Sequence, residues 1–485
     1  MQAALELFSH LEQEDIDWIF QASNEMQIIA NTRVVLEGEK PDALYFVLEG
    51  LLGVRTSAMG NRQIATLGPG EILGEIAFLD GLPASATVQA VENSLLLVLP
   101  CVRLEEKLAV SPVFAVRFLR SLAKAIARRL RHTTGIIGHR AQHDYDDAAI
   151  STADSAALLA ELDQFKSAMQ QADLEALKAG GVVPVELAAS IRAGFRSFCV
   201  RANERLGADS EWSPGKKEEI GRRIQREILP YLLLTGTAER IYAKPRGYAG
   251  DFLTIEKIYQ NEAAGSGRLG PLLDRCFLDE PAAVAVRNRR HLLVEEIRQT
   301  LAEKTDGTVR VASLACGPAR ELFDVYETDE AAARLESTLI DIDLQALAYV
   351  EDRLIGKPFR RRFNLQIANL VYLATGRKSL DMPEQDLVYS IGLIDYFNDK
   401  YVVNLLNYIH KILIPGGRVI LGNFHPANTS RSLMDHVLDW KLIHRTESDM
   451  DRLFQASNFG LSCSRVRFEE QNINLFAVCE KRASG

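Results

Sequence analysis

Residues 309–321, VRVASLACGPARE, run as a short apolar strand into a turn of small residues, Ala315-Cys316-Gly317-Pro318-Ala319, before polar helical sequence begins at Arg320. Small residues let backbone approach a ligand, and a helix start offers unpaired N–H groups to an anion. Asp341 closes the next strand-like run, STLIDI, 24 residues after Gly317. A carboxylate there can accept from both hydroxyls of a ribose, because an ionised acid carries acceptors only. Asn369, in QIANL, offers an amide to an adenine edge, and Ser390 and Ile391 end a further apolar run, DLVYSI. The set suits an adenosine-containing cofactor; the plain alternative is a tight βα turn. A dinucleotide fits less well. Arg320 stands where a G-x-G-x-x-G loop has its third glycine, which allows helix and strand to pack closely.

A second group of polar residues lies in RIYAKPRGYAGDF, residues 240–252. Pro245, Gly247 and Gly250 force turns that carry Arg246, Tyr248 and Asp251. Arg246 can hold a carboxylate in a bidentate fork. The alternative is an ordinary interhelical turn with a surface arginine and a capping aspartate. Asp395 and Tyr396 follow DLVYSI, and His425 follows the next strand in GNFHP. Tyr396, His425 and His444 become general-base candidates if the acceptor is a hydroxyl or amine. Helix capping, core packing and a satisfied structural histidine are their ordinary roles.

These groups need elements to hold them. The chain has 485 residues, too many for one ordinary core. Residues 1–112 read as β-rich, with ALYFVLEGLLGVRT and SLLLVLP as short strands in a small barrel. Residues 113–142 read as one helix, with Leu119, Leu122, Ile126 and Leu130 on a stripe that predicts a two-fold dimer. Its Arg128, Arg129 and Arg131 read as a solvated face. An acidic linker follows at 143–155, and helical patterns fill 156–303. From 304 to 485 strands alternate with helices, which predicts a doubly wound parallel sheet closed by an antiparallel edge hairpin.

The net charge of −9 argues against a nucleic-acid substrate. Six scattered cysteines with no C-x-x-C pair argue against a zinc site or disulfide frame. No apolar run reaches membrane-spanning length and no signal peptide is evident, so a cytoplasmic location is expected.

Residues 308–482 resemble the class I S-adenosylmethionine-dependent methyltransferases. The resemblance rests on VASLACGPARE, LIDID, DLVYSIGLIDYF, ILIPGGRVILGNF and the closing hairpin. It implies a seven-stranded Rossmann-like sheet with cofactor residues Ala315, Cys316, Gly317, Pro318, Asp341, Asn369, Ser390 and Ile391. Ser313 departs from the aspartate frequent in that superfamily, and Ala315 and Ala319 from glycines. Over 156–482, RIYAKPRGYAGDF, LACGPARE and WKLIHRTESDM resemble the bacterial family of hydroxypalmitic acid methyl ester biosynthesis. That implies carboxyl O-methylation of a 3-hydroxy fatty acid or related acyl compound; Arg246, Tyr248, Tyr396 and His425 are the candidate catalytic residues. A carboxylate is already ionised near pH 7, so positioning and desolvation can carry most of the acceleration.

Residues 1–135 resemble the cyclic nucleotide-binding domains of catabolite-activator-like regulators and kinase regulatory subunits, through GEKPDALYFVLEG and LGPGEILGEIAFLDGLPASATVQA. The resemblance implies that backbone after Gly74 faces the cyclic phosphate and Glu75 takes the ribose hydroxyl. The family's arginine after the proline is Ala84 here. Losing a bidentate charged pair costs several powers of ten in affinity. Tight binding of cyclic AMP or GMP is therefore not expected. Ser85 and Thr87 can still donate to a phosphate, leaving weak binding, another ligand, or a plain dimerisation module open. After Gln142 the sequence shows no DNA-reading helix. Two classes of function stand: an acyl methyltransferase with a sensor-like barrel, and a ligand-responsive regulator whose methyltransferase fold has lost catalysis.

Overall fold

The computed structural model describes residues 11–57, 62–123, 126, 153–207, 210–328 and 330–482. They fall into two compact units. The first comprises the described residues up to 126 with the segments Lys244–Tyr248 and Ile342–Leu344; the second comprises the remainder.

In the first unit, β1 (Asn24–Ile28), β3 (Ala43–Glu49), β6 (Ile72–Leu73) and β8 (Ser94–Pro100) form one four-stranded sheet. A second sheet holds β2 (Arg33–Val35), β4 (Leu52–Thr56), β5 (Arg62–Leu67) and β7 (Thr87–Ala90). All pairings within them are antiparallel. Val47, Leu96, Leu52 and Val88 fill one apolar core from both sheets, as expected of a closed roll. The sequence reading of a β-rich segment needs one amendment. Gln13–Ala22 and Cys101–Val110 are helices. Residues 112–123 are also helical. Of the predicted dimer stripe, Leu122 is fully buried within the unit while Leu119 is 37% exposed. Phe114 and Phe118 stack, and Phe114 meets Trp18 edge-on. Leu130, the arginines 128, 129 and 131, and residues 143–152 of the predicted 143–155 linker lie outside the described residues; the last three residues of that linker instead open helix Ala153–Lys178.

The second unit opens with helices Ala153–Lys178, Val185–Leu206 and Pro214–Leu232. Leu162, Phe165, Phe195, Phe198, Ile224 and Ile228 form their shared core. Helix Pro281–Glu303 then leads into the sheet. Its strands are β9 (Val309–Leu314), β10 (Leu335–Asp341), β11 (Phe363–Ile367), β12 (Gln385–Ile391), β13 (Leu413–Phe424), β14 (Arg465–Phe468) and β15 (Asn474–Glu480). Their order is β11-β10-β9-β12-β13-β15-β14. The first five run parallel, and β15 pairs antiparallel with both β13 and β14. The expected closing hairpin is present, with β15 rather than β14 next to β13. The chain builds outward from β9 to β11, then returns to add β12 on the other side. The direction switches between β9 and β12, the place at the carboxyl ends of the strands where open α/β sheets form their ligand crevice.

Candidate functional site

The turn after β9 is wound unusually tightly. Ala315, Gly317 and Ala319 all have left-handed backbone, at φ 57°, 53° and 49°. For each alanine that conformation costs about 1–2 kcal/mol, a strain that functional turns commonly hold. The N–H groups of Ala315 and Cys316 both donate to the Ile340 carbonyl, at 2.8 and 3.2 Å. Gly317 N–H donates to Asp341 Oδ2 at 3.0 Å. The loop and the acid that the sequence singled out are thus joined at the ends of β9 and β10. Burial, reinforced by Asp341, raises the Cys316 thiol well above its ordinary pKa, so it stays protonated. A side chain added at Gly317 would meet nothing within 4 Å, so the face above the loop is open.

Arg320 begins the helix after the loop and does not pack onto the strand. Its guanidinium pairs with buried Glu256 through both Nε, at 2.9 Å, and Nη2. Glu256 belongs to helix Phe252–Gln260, capped by Asp251, which accepts from Thr254 N–H at 2.9 Å and pairs with Arg240. Beneath the loop, buried Glu321 accepts from the Tyr389 hydroxyl at 2.8 Å. Tyr389 also bonds Ser313, so the serine that replaces a common aspartate has a polar partner.

Several predicted residues hold the frame. Asn369 caps a short helix, its side-chain oxygen accepting from Val371 N–H at 2.9 Å. Ser390 is fully buried and donates to the Leu314 carbonyl at 2.9 Å, tying β12 to β9. Ile391 ends β12 at the switch point. Pro318 lies in the left-handed turn itself.

After β12 the chain folds back through Asp395 and Tyr396. Buried Asp395 accepts from Phe424 N–H at 2.6 Å, and burial raises its carboxyl to about 6. Tyr396 accepts from Trp440 Nε1 at 2.8 Å, and burial raises its phenol, keeping it protonated. A Cβ at Gly250 would lie 2.8 Å from that hydroxyl, so the glycine of the 240–252 segment touches the switch point. Arg445, from WKLIHRTESDM, clasps the Ile394 and Phe397 carbonyls and Asn423, fixing this turn to β13. His425 accepts from Ala427 N–H through Nδ1 at 3.2 Å and faces Glu447 through Nε2 at 3.3 Å. Burial lowers His444 to about 4, so it is neutral at pH 7.

Arg246 and Tyr248 belong to the first compact unit. Arg246 is 6% exposed and donates to Asp343 at 3.0 Å through Nε and to Glu92 at 3.1 Å through Nη2. Burial works against its charge, but the two carboxylates outweigh it and hold its pKa above the ordinary value.

In the barrel, Gly74 is left-handed at φ 86° and leads into the short helix Glu75–Asp80, with Glu75 buried. Thr87 Oγ1 accepts from Glu37 N–H at 3.1 Å, and Ser85 is exposed. Ala84 exchanges backbone hydrogen bonds with Gly38 and Glu39, both at 2.8 Å. From Gly74 to Thr87 the sequence carries no Lys, Arg or His.

One residue of the second unit escaped the sequence reading. Arg289, on helix Pro281–Glu303, is 5% exposed, and its guanidinium lies over Gly392, the first residue past β12. A Cβ at Gly392 would come within 3.2 Å of Arg289 Nη1. The signal was helical phase: Ala282, Val286, Arg289 and Leu293 recur at spacings of four and three, which puts Arg289 at a core position.

Among the described residues no helix is long and apolar enough to cross a membrane. All six cysteines are free thiols. Residues 25–110 match the model of the cyclic nucleotide-binding domain, and residues 247–479 that of a family described as "Putative methyltransferase". The chain is 37% identical over 115 residues, 24% of its length, to a putative potassium channel protein of Rhodopseudomonas palustris. It is 22% identical over 223 residues, 44% of its length, to the uncharacterized protein YnbC of Escherichia coli. It spans only 28% and 37% of those two proteins. The solved structure of a possible exported protein from Bordetella parapertussis matches 61% of this chain and 97% of its own, with TM-score 0.44 and 18% identity. The chain thus joins a cyclic nucleotide-binding domain to a domain of the "Putative methyltransferase" family.

Proposed function

We propose that the second unit is an S-adenosylmethionine-dependent methyltransferase that esterifies the carboxylate of a 3-hydroxy fatty acid or related acyl compound. The observation that carries this reading is the junction of the left-handed 315–319 turn with Asp341 at the switch point. The residues fit the cofactor. A Cβ at Gly317 would meet nothing within 4 Å, so the backbone there is open to close approach, and the Asp341 carboxylate suits a ribose. When bound, S-adenosylmethionine supplies an electrophilic methyl group: the acceptor oxygen forms the new O–C bond as the C–S bond breaks and its electron pair stays on sulfur.

The chain's own residues then have modest tasks. Asp341 and the loop backbone orient, while Tyr396, protonated and fixed by Trp440, walls the crevice rather than taking a proton. With a carboxylate acceptor no proton moves, so neutral His444 and the Glu447-facing His425 are not needed as bases. The same reading takes the protein as cytoplasmic, dimeric through the 113–142 helix, and without a tight cyclic nucleotide site, since Ala84 brings no charge to the cassette. Titration calorimetry of the full chain with S-adenosylmethionine tests the cofactor assignment. Saturable one-to-one binding is expected; no heat at millimolar cofactor refutes it.

A further inference from the structure

Arg289 is a buried cation that no carboxylate among the described residues contacts directly. Among the described residues it forms no ion pair, and its Nε has no hydrogen-bond partner. Tyr259 bonds the guanidinium, and Asp395 and Tyr396 lie close enough to feel its charge. Keeping such a charge buried and unpaired is costly, and a ligand anion is the ordinary remedy. The guanidinium lies over Gly392, at the switch-point end of β12.

The same helix says what the rest of the ligand is. Val286 and Ala282 share the Arg289 face one and two turns back, and both line a largely apolar hollow with Phe277, Phe424, Met434 and Trp440, whose far end holds Glu280 and Ser430. Three residues of helix rise about 4.5 Å, so apolar lining gives way to a guanidinium within one turn. Trp440 connects the two ends, since it lines the hollow and donates to Tyr396. As it stands the hollow encloses about 10 Å³, room for a water molecule, so a tail must part its walls. Met434, in the π-turn Leu433–Val437, is the wall best able to yield.

We propose that Arg289 is the receptor for the carboxylate head of an acyl acceptor, with the tail running along Ala282 and Val286. This rests on the methyl-transfer reading and names the acceptor's anchor within it. A carboxylate is also present on the cofactor, and the experiment separates the two sources.

The full chain is titrated at pH 7.5 with 3-hydroxydecanoic acid, with 1-decanol, and with S-adenosylmethionine. The wild type should bind the acid at least about tenfold tighter than the alcohol, the size of one charged hydrogen bond. Arg289→Gln should lose that preference while keeping its affinity for the alcohol and for S-adenosylmethionine. Equal binding of acid and alcohol by the wild type overturns the proposal, even if the variant fails to fold. So does an Arg289→Gln protein that retains the acid preference but loses about tenfold in S-adenosylmethionine affinity, because the carboxylate held is then the cofactor's. Wild-type protein that binds no S-adenosylmethionine removes the methyl-transfer reading and this role with it. An absent acid preference alone removes only the role of Arg289.

Discussion

Arg246 and Arg289 are almost equally buried, 6% and 5% exposed, yet they differ in what meets their charge. Arg246, in the first unit, is held by Asp343 and Glu92. Arg289, in the second, has a phenol and a glycine against it and no ion pair among the described residues. A buried cation already paired with carboxylates serves the structure, whereas one without an ion pair gains by meeting an anion. Under the proposal above, the carboxylate-holding task that the glycine-rich 240–252 segment suggested for Arg246 falls to Arg289. The barrel supplies a third case, because its cassette from Gly74 to Thr87 carries no cation at all.

Substitution separates these cases. Arg246→Ala leaves two carboxylates without their partner and should cost about 3–5 kcal/mol, read as a lower Tm by calorimetry. Arg289→Gln should lower Tm by much less, because it breaks no ion pair and loses only the Tyr259 hydrogen bond and the longer-range attraction of Asp395. If both substitutions destabilise alike, the contrast fails.

Glu280 is the acidic counterpart of Arg289. It caps the same helix, lines the hollow and accepts from Ser430 Oγ at 3.1 Å. Burial raises its carboxyl from 4.5 to about 7, against Ser430 and Arg196. The folded state therefore holds a proton that the unfolded state has released, and stability falls as pH rises from about 4.5 to 7. Glu280→Gln should remove that decline and gain roughly 3 kcal/mol at pH 8, with little change at pH 4. Parallel stability curves for the two proteins across that range would contradict it.

Asp341→Ala should weaken S-adenosylmethionine by about 10–100-fold in calorimetry, the worth of one charged hydrogen bond. An unchanged affinity removes the ribose assignment. The smallest effect is expected in the barrel, where Ala84→Arg should raise cyclic AMP affinity by about tenfold, the gain from one charged hydrogen bond rather than from a fully formed bidentate pair. No gain would show that more than the missing charge separates this cassette from a nucleotide site.

The sequence made the 315–319 turn legible because its small residues interrupt an apolar run, and Asp341 because it closes the next strand. Alternation of strands and helices was enough for the doubly wound sheet. What stayed hidden depended on distance along the chain. Asp343 stands in plain view in LIDID, but its bond to Arg246 spans 97 residues. Arg289 sits in the polar run Arg287-Asn288-Arg289-Arg290, where composition suggests a solvated helix face. Only its phase with Ala282 and Val286 turns it inward. The helix at 101–110 was missed because CVRLEEKLAV follows a strand without a turn residue other than Pro100, which serves as its N-cap.

The most direct test of the account follows the methyl group. The full chain is incubated with S-adenosylmethionine labelled at the methyl carbon and 3-hydroxypalmitic acid, and the products are partitioned into organic solvent. Label is expected in the organic phase, released by mild alkali as methanol, the behaviour of a methyl ester. Label that stays in protein or in a water-soluble product, or no transfer by protein that binds the cofactor, would contradict it.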